Sequence, residues 1–409
     1  MSVDPKTISA AVDARLDEAT GLLRELIAAP SLPGEEAAAM AVTERAFADV
    51  ATVQRVPLDN TLRDDPDYCD VIEGLQYDGR HNLRVVAAGG DAPGLLLNAH
   101  VDTVPPSQGQ QRPFEACIED GWVVGRGACD DKGQIAAIWL AMAALKDLGA
   151  ALPGDLVAHL VVEEENGGNG SLAMVRRGGE RAAGCIVCEP TELKVLTSIR
   201  GAVWFRMMLR GRPGHSGQAA RSRSALKMAI RVVEILEGYH RRLLDTSRGE
   251  AMFAKYDNPM PLTVGKLHAG NWPATAPGEA CLEGVLGFLP NRTAAQVCEE
   301  ILDAIRQEGG DELADHLDAR FTYRHNASVC PPDHPLVETL TESIAAAGGS
   351  TGIDAMTASC DACFYSNRLG IPTVVFGAGS LSVAHSNQER IPLDELATAA
   401  KALATVAVR

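Results

Sequence analysis

Three apolar runs in this chain end in groups that cannot stay buried alone. LLLNA leads into His100-Val101-Asp102, VAHLVV into Glu163-Glu164-Glu165, and GCIVC into Glu189. A carboxylate at the mouth of a buried strand is costly unless it is paired or binds a cation. Side chains two apart on a strand share a face, so His100 and Asp102 point together where the strand gives way to the HVDTVP turn. Asp130 and Asp131 in GRGACDDKG and His385 in VAHSNQE extend the same set. Imidazole and carboxylate donors suit zinc, cobalt or manganese better than calcium, and two such ions can clamp a water between them.

The rest of the pattern says what carries these strand ends. Residues 8–28 and 35–50 have the apolar spacing of amphipathic helices, and HNLRVVAAG, GLLLNAH, DLVAHLVV and CIVC read as short strands. Lys132 to Leu148 and SLAMVRRG read as helices between them. This alternation predicts an α/β fold, with a central mixed or mainly parallel sheet flanked by helices and reactive groups at its strand ends. From Gly201 the texture changes to AVWFRMMLRG, a long helix, TVGKLHAG, EACLEGVLGFLP, a second helix and ARFTYRHNA. That order predicts an inserted α+β domain over 201–329, between catalytic segments 1–200 and 330–409. Polar, turn-rich residues 59–79 read as a surface insertion with little regular structure, a solvated loop more simply than the rim of a pocket.

At 409 residues the chain is long enough for two cores, and its net charge of −17 disfavours nucleic acid and anionic membranes as partners. Small molecules are the expected partners. No leader-like N-terminus and no run of 18 apolar residues is present, which predicts a cytoplasmic protein. The ten cysteines are scattered. Cys185/Cys188 and Cys360/Cys363 have C-x-x-C spacing, for which a zinc knuckle or redox pair competes with ordinary packing; packing is the simpler reading.

The ordered set HVDTVP, GRGACDDKG, EEENGGNG, CEPT, GRPGHSG and AHSNQERIP resembles the M20 metallopeptidases. The likeness is to the branch of acetylornithine deacetylase, succinyl-diaminopimelate desuccinylase, carboxypeptidase G-like enzymes and aminoacylase-like deacylases. The resemblance implies two divalent ions per subunit, zinc with cobalt as the alternative. His100, Asp130 and Glu189 would hold one and His385, Asp130 and Glu165 the other. It also implies Glu164 as general base, Asp102 as the residue orienting His100, and His215 as an oxyanion donor from a lid and dimerisation domain, often that of a neighbouring subunit in a homodimer. Arg324, Asn271, Gly377 and Gly379 are the matching substrate-binding candidates.

Asp131 stands where many relatives have an apolar residue, its charge either a local specialisation or that of an exposed neighbour of the ligand, and Glu163 stands where aspartate is common. Two further positions, Gly287 and Cys363, stand where arginine is common. These last two departures point away from the standard acetylornithine and succinyl-diaminopimelate specificities, toward an N-acyl amino acid or a less usual small amide. Two other readings compete: a metallo-dipeptidase or carboxypeptidase of the same chemistry, and a noncatalytic binding protein. The ligand and base positions all keep competent residues, which favours an enzyme.

Overall fold

The computed structural model describes residues 3–409. Its largest sheet is mixed and runs, in spatial order, through Thr52–Pro57, His81–Ala87, Gly154–Val161, Ala92–His100, Ala182–Val187, Thr373–Val375, Val195–Ile199 and Ser328–Val329, with Ile353–Met356 beside Val195–Ile199. The four strands Gly154–Val161, Ala92–His100, Ala182–Val187 and Thr373–Val375 pair in parallel. Their carboxyl ends therefore share one edge of the sheet.

The crossovers place helices on both faces. Strand Ala92–His100 passes through helix Lys132–Asp147 to its neighbour on one side, and the chain then passes through helix Asn169–Arg177 to its neighbour on the other. Right-handed crossovers in opposite directions put the two helices on opposite faces. Lys132–Asp147 is apolar all round and buried from Lys132 to Leu145, because helices Leu16–Ala28 and Leu393–Ala407 close over it.

The segment read as one helix over 8–28 is two, Pro5–Ala14 and Leu16–Ala28, broken at Arg15. Asp4 starts the first by accepting from the Lys6 and Thr7 amides ahead of Pro5 at the first turn. Segment 59–79 is largely an exposed loop with little regular structure, but it is anchored: Tyr68, Cys69 and Tyr77 are buried, and both tyrosines join the main core. Its polar spacing concealed two aromatic rings whose hydroxyls find partners inside.

The second sheet is antiparallel, in the order Leu262–Ala269, Glu279–Phe288, Gly201–Arg210 and Leu317–His325. Val203, Phe205, Met207 and Leu209 alternate inward along one strand to meet helices Ala225–Thr246 and Ala294–Ala314. The second helix opens on a capping box between Thr293 and Gln296. This domain is tied back to the loop that follows Gly154–Val161 by His325, whose Nε2–H donates to Gly167 O at 3.0 Å and whose ring lies against Tyr323 and Phe364.

Burial pulls the His325 imidazole down to about 4, so it stays neutral in the folded chain well below the usual histidine value. A depressed base favours the unfolded state as pH falls, because the unfolded imidazole takes a proton first near 6.5. The stability this neutral histidine leaves intact above pH 6.5 should decline by about 2 kcal/mol between pH 7 and 5. Urea unfolding at both pH values should show His325→Gln losing about that much less than the parent; equal losses would refute the assignment.

Candidate metal centre

His100 ends its strand, Glu164 and Glu165 follow Gly154–Val161, Glu189 follows Ala182–Val187, and His385 lies in the loop after Thr373–Val375. Asp130 comes from the turn before helix Lys132–Asp147. The shared strand edge brings them together. One ligand atom each from His100, Asp130 and Glu189 lie within 4.8 Å of one another, and so do those from Asp130, Glu165 and His385. Asp130 belongs to both groups. Its Oδ1 is 3.0 Å from His100 Nε2, while its Oδ2 is 3.2 Å from His385 Nε2, which is also 3.0 Å from Glu165 Oε1.

The electrostatics test whether cations fit this set. Burial pushes Glu189 and Glu164 well above the usual carboxylate range, with Asp130 and other acids adding repulsion. Burial also raises Glu165, again with Asp130 behind it. Burial would raise Asp130 too, but hydrogen bonds from His100 and His385 outweigh it and hold this acid well below the ordinary value. The histidines mirror this. Burial opposes the charge on His385, yet Asp130 and Glu165 lift it to about 11. Burial opposes the charge on His100 as well, yet the acids around it raise it well above the ordinary histidine value. Both imidazoles are thus drawn toward the positive charge that cations would supply to the same acids, and a nitrogen-and-oxygen donor set of this kind fits zinc or cobalt.

Backbone contacts fix the ligands. His100 Nδ1 faces the carbonyl of Asp102 at 3.0 Å and its carboxylate at 3.4 Å, so Nδ1 carries a proton and Nε2 points at Asp130. The Asp102 carboxylate also accepts from the Glu164 and Glu165 amides at 3.1 and 3.0 Å. Asp131 is buried, and its Oδ2 accepts from the His100 amide at 2.9 Å. Sequence reasoning left open whether Asp131 was exposed; its burial shows that it braces the histidine strand. Glu389 accepts from the Asp130 amide at 3.3 Å and pairs with the buried Arg126. Neither was singled out in the sequence, although each lies inside a quoted motif.

The substrate-binding candidates are placed differently. Arg324 is exposed, and its guanidinium donates to the carbonyls of Pro66 and Tyr68 at 3.1 and 3.0 Å. Asn271 is exposed in the turn between Leu262–Ala269 and Thr275–Ala276. Gly377 and Gly379 serve close packing: a Cβ at 377 would lie 2.6 Å from Glu189 O, and one at 379 would lie 2.7 Å from Cys129 Cβ. Their amides are spent on Thr191 Oγ1 and Glu395 Oε2. His215 is exposed on a two-residue strand paired with Thr275–Ala276, and its Nδ1 accepts from the Gly217 amide at 3.1 Å. It is a member of neither ligand group. The C-x-x-C thiols are buried and free, and among the described residues none belongs to a metal-competent group.

The profile of peptidase family M20/M25/M40 matches residues 96–409. The chain belongs to this family. Family relatives include the acetylornithine deacetylase of Myxococcus xanthus, 28% identical over 316 residues, covering 76% of this chain and 80% of that one. The N-formyl-4-amino-5-aminomethyl-2-methylpyrimidine deformylase of Bacillus subtilis (strain 168) is 26% identical over 330 residues, covering 74% and 76%. The fold is shared with the di-peptidase Dug1p of Saccharomyces cerevisiae, at a TM-score of 0.79 and 13% identity over 99% of this chain and 98% of that one. Human carnosine dipeptidase 1 follows at 0.75 and 15%, over 99% of each chain. Family and ligand groups together make the chain a metal-dependent hydrolase.

Because Asp130 is shared, its loss should cost more than one ion. Metal analysis after dialysis should find two zinc ions per parent chain, one in Glu189→Gln and neither firmly held in Asp130→Ala. Zinc at a hundredfold excess over the Kd of each site should stabilise the stripped parent by about 2.7 kcal/mol per ion bound. Two tight ions in Asp130→Ala would contradict the bridging arrangement.

Proposed function

We propose that the chain is an amidohydrolase that removes a small acyl group from an amino acid or related small amine. The observation that carries this reading is Glu164. It is a buried carboxylate outside both ligand groups, fixed through its amide to Asp102 and adjacent in sequence to the ligand Glu165. Burial, reinforced by Asp361 and Glu165, raises its pKa well above the carboxylate range, which suits a group that accepts a proton and returns it. Two bound divalent ions, zinc or cobalt, would supply Lewis acidity toward the scissile carbonyl and the attacking water.

Within that frame, Glu164 takes the proton of the attacking water and delivers it to the departing amine. Asp102 holds both the His100 tautomer and the backbone of Glu164 and Glu165, so the base and two ligands keep one relative geometry. His215 is the donor for the developing oxyanion, brought in by a second copy of the chain in a homodimer. Exposure of His215 and the open outer edge of strand Leu262–Ala269 both support a partner on this domain. The deacylase reading draws on the two named relatives, which by their names remove an acetyl and an N-formyl group. Ten free cysteines suit a reducing cytoplasm, and among the described residues no helix is long and apolar enough to cross a membrane.

Metal-stripped and zinc- or cobalt-restored protein should be given N-acetyl, N-succinyl and N-formyl amino acids and amines alongside dipeptides, with products read by mass spectrometry. Metal-dependent release of the free amine supports the proposal, and cleavage of dipeptides alone would replace it with a dipeptidase. On the substrate found, Glu164→Gln should retain both ions and lose about 10²-fold or more in kcat. Parent turnover in a metal-replete variant would remove Glu164 from the mechanism.

A further inference from the structure

One buried acid beside the base has no part in the mechanism above. Glu163 precedes Glu164 and Glu165 and has φ +66, a left-handed backbone that residues with a β-carbon seldom adopt. Its carboxylate is fully buried and tied from several sides: it pairs with Arg80, and it accepts from the Tyr77 hydroxyl at 2.8 Å and from Asn169 Nδ2 at 3.0 Å. Arg80 in turn reaches Glu36 at 2.6 Å. Asn169 brackets Cys69, accepting from its amide and donating to its carbonyl, each at 3.0 Å. Tyr77 and Cys69 come from the segment whose polarity suggested a loose loop, and Arg80 immediately follows it.

The turn of Glu163 to Glu165 is therefore gripped on both sides. Asp102 holds the amides of Glu164 and Glu165, and the 68–80 segment with Asn169 holds the side chain of Glu163. A left-handed residue persists where its surroundings over-determine it, and such residues gather at functional sites. The two carboxylates aimed by this turn are the proposed base and a ligand. A buried ion pair kept for stability alone would be equally well served by any backbone conformation, whereas here the grip coincides with the residue that sets the direction of the next two.

We propose that Glu163 is a positioning residue, held by Tyr77, Arg80 and Asn169 so that its left-handed turn directs Glu164 toward the substrate and Glu165 toward a metal ion. The segment around residues 68–80 is then part of the active-site framework. The proposal rests on the reading of Glu164 and Glu165 given above. Outer partners of metal ligands commonly change affinity or activity by 10- to 100-fold when removed.

Full-length Glu163→Gln and Tyr77→Phe, zinc-loaded, test this through kcat, KM and chelator competition for zinc. Tyr77→Phe removes only a hydroxyl and carries the test should Glu163→Gln fail to fold. The expected result is a kcat about tenfold lower with KM nearly unchanged, and one of the two ions bound about tenfold more weakly. A lower Tm with parent zinc affinity and parent kcat per zinc-loaded molecule would overturn the proposal, leaving the cluster merely structural. The zinc competition needs no substrate. If the parent cleaves no amide, the functional reading fails while the affinity of the ion at Glu165 still decides the role of Glu163.

Discussion

The structure turns on an accumulation of buried negative charge around Asp130. Asp130, Asp131, Glu164 and Glu189 all lie within the protein, and Glu165 joins them at the mouth of the site. Such a set is tolerable only with positive charge among it, and the two imidazoles that face the two oxygens of Asp130 mark where that charge goes. Parallel strands make the arrangement possible, because they deliver side chains from distant parts of the sequence to one edge without any one loop having to enclose the site. The same concentration of acid goes with a heavily bonded framework: the turns that bear His100, Asp130 and Glu165 are each fastened by a second buried group.

These fastenings form a connected system. Glu389 and Arg126 hold the Asp130 turn, Asp131 holds the backbone of His100, and Asp102 joins His100 to Glu164 and Glu165. Glu163 extends the network into the 68–80 segment, and His325 extends it into the inserted domain through Gly167, two residues past Glu165. The inserted domain is consequently linked to the ligand loop by a hydrogen bond as well as by the covalent connection near Gly201. Side chains from both domains therefore bear on the geometry of a few ångströms around the proposed base.

Much of this was legible beforehand because it depends on local pattern. Alternating strands and helices, the change of texture at Gly201 and the acids at strand ends all follow from periodicity and solvation, and each appears in the fold. What escaped was what depends on distant partners. Polarity made residues 59–79 read as solvent-facing, since the sequence does not show that Tyr77 meets Glu163 or that Asn169 meets Cys69. Glu389 and Arg126 lie 263 residues apart and give no sign of each other until the turn they share is folded. At Gly377 and Gly379 the sequence likewise does not show the close approach of Glu189 and Cys129, which leaves no room for a β-carbon.

Asp130 belongs to both ligand groups and, in the function proposed, would be shared by two cations at this strand edge. Anomalous diffraction at the zinc absorption edge from crystals of the zinc-loaded protein tests it most directly. The account predicts two peaks flanking the Asp130 carboxylate, one beside His100 and Glu189 and the other beside Glu165 and His385. A single peak, or peaks that leave Asp130 uncoordinated, would contradict it.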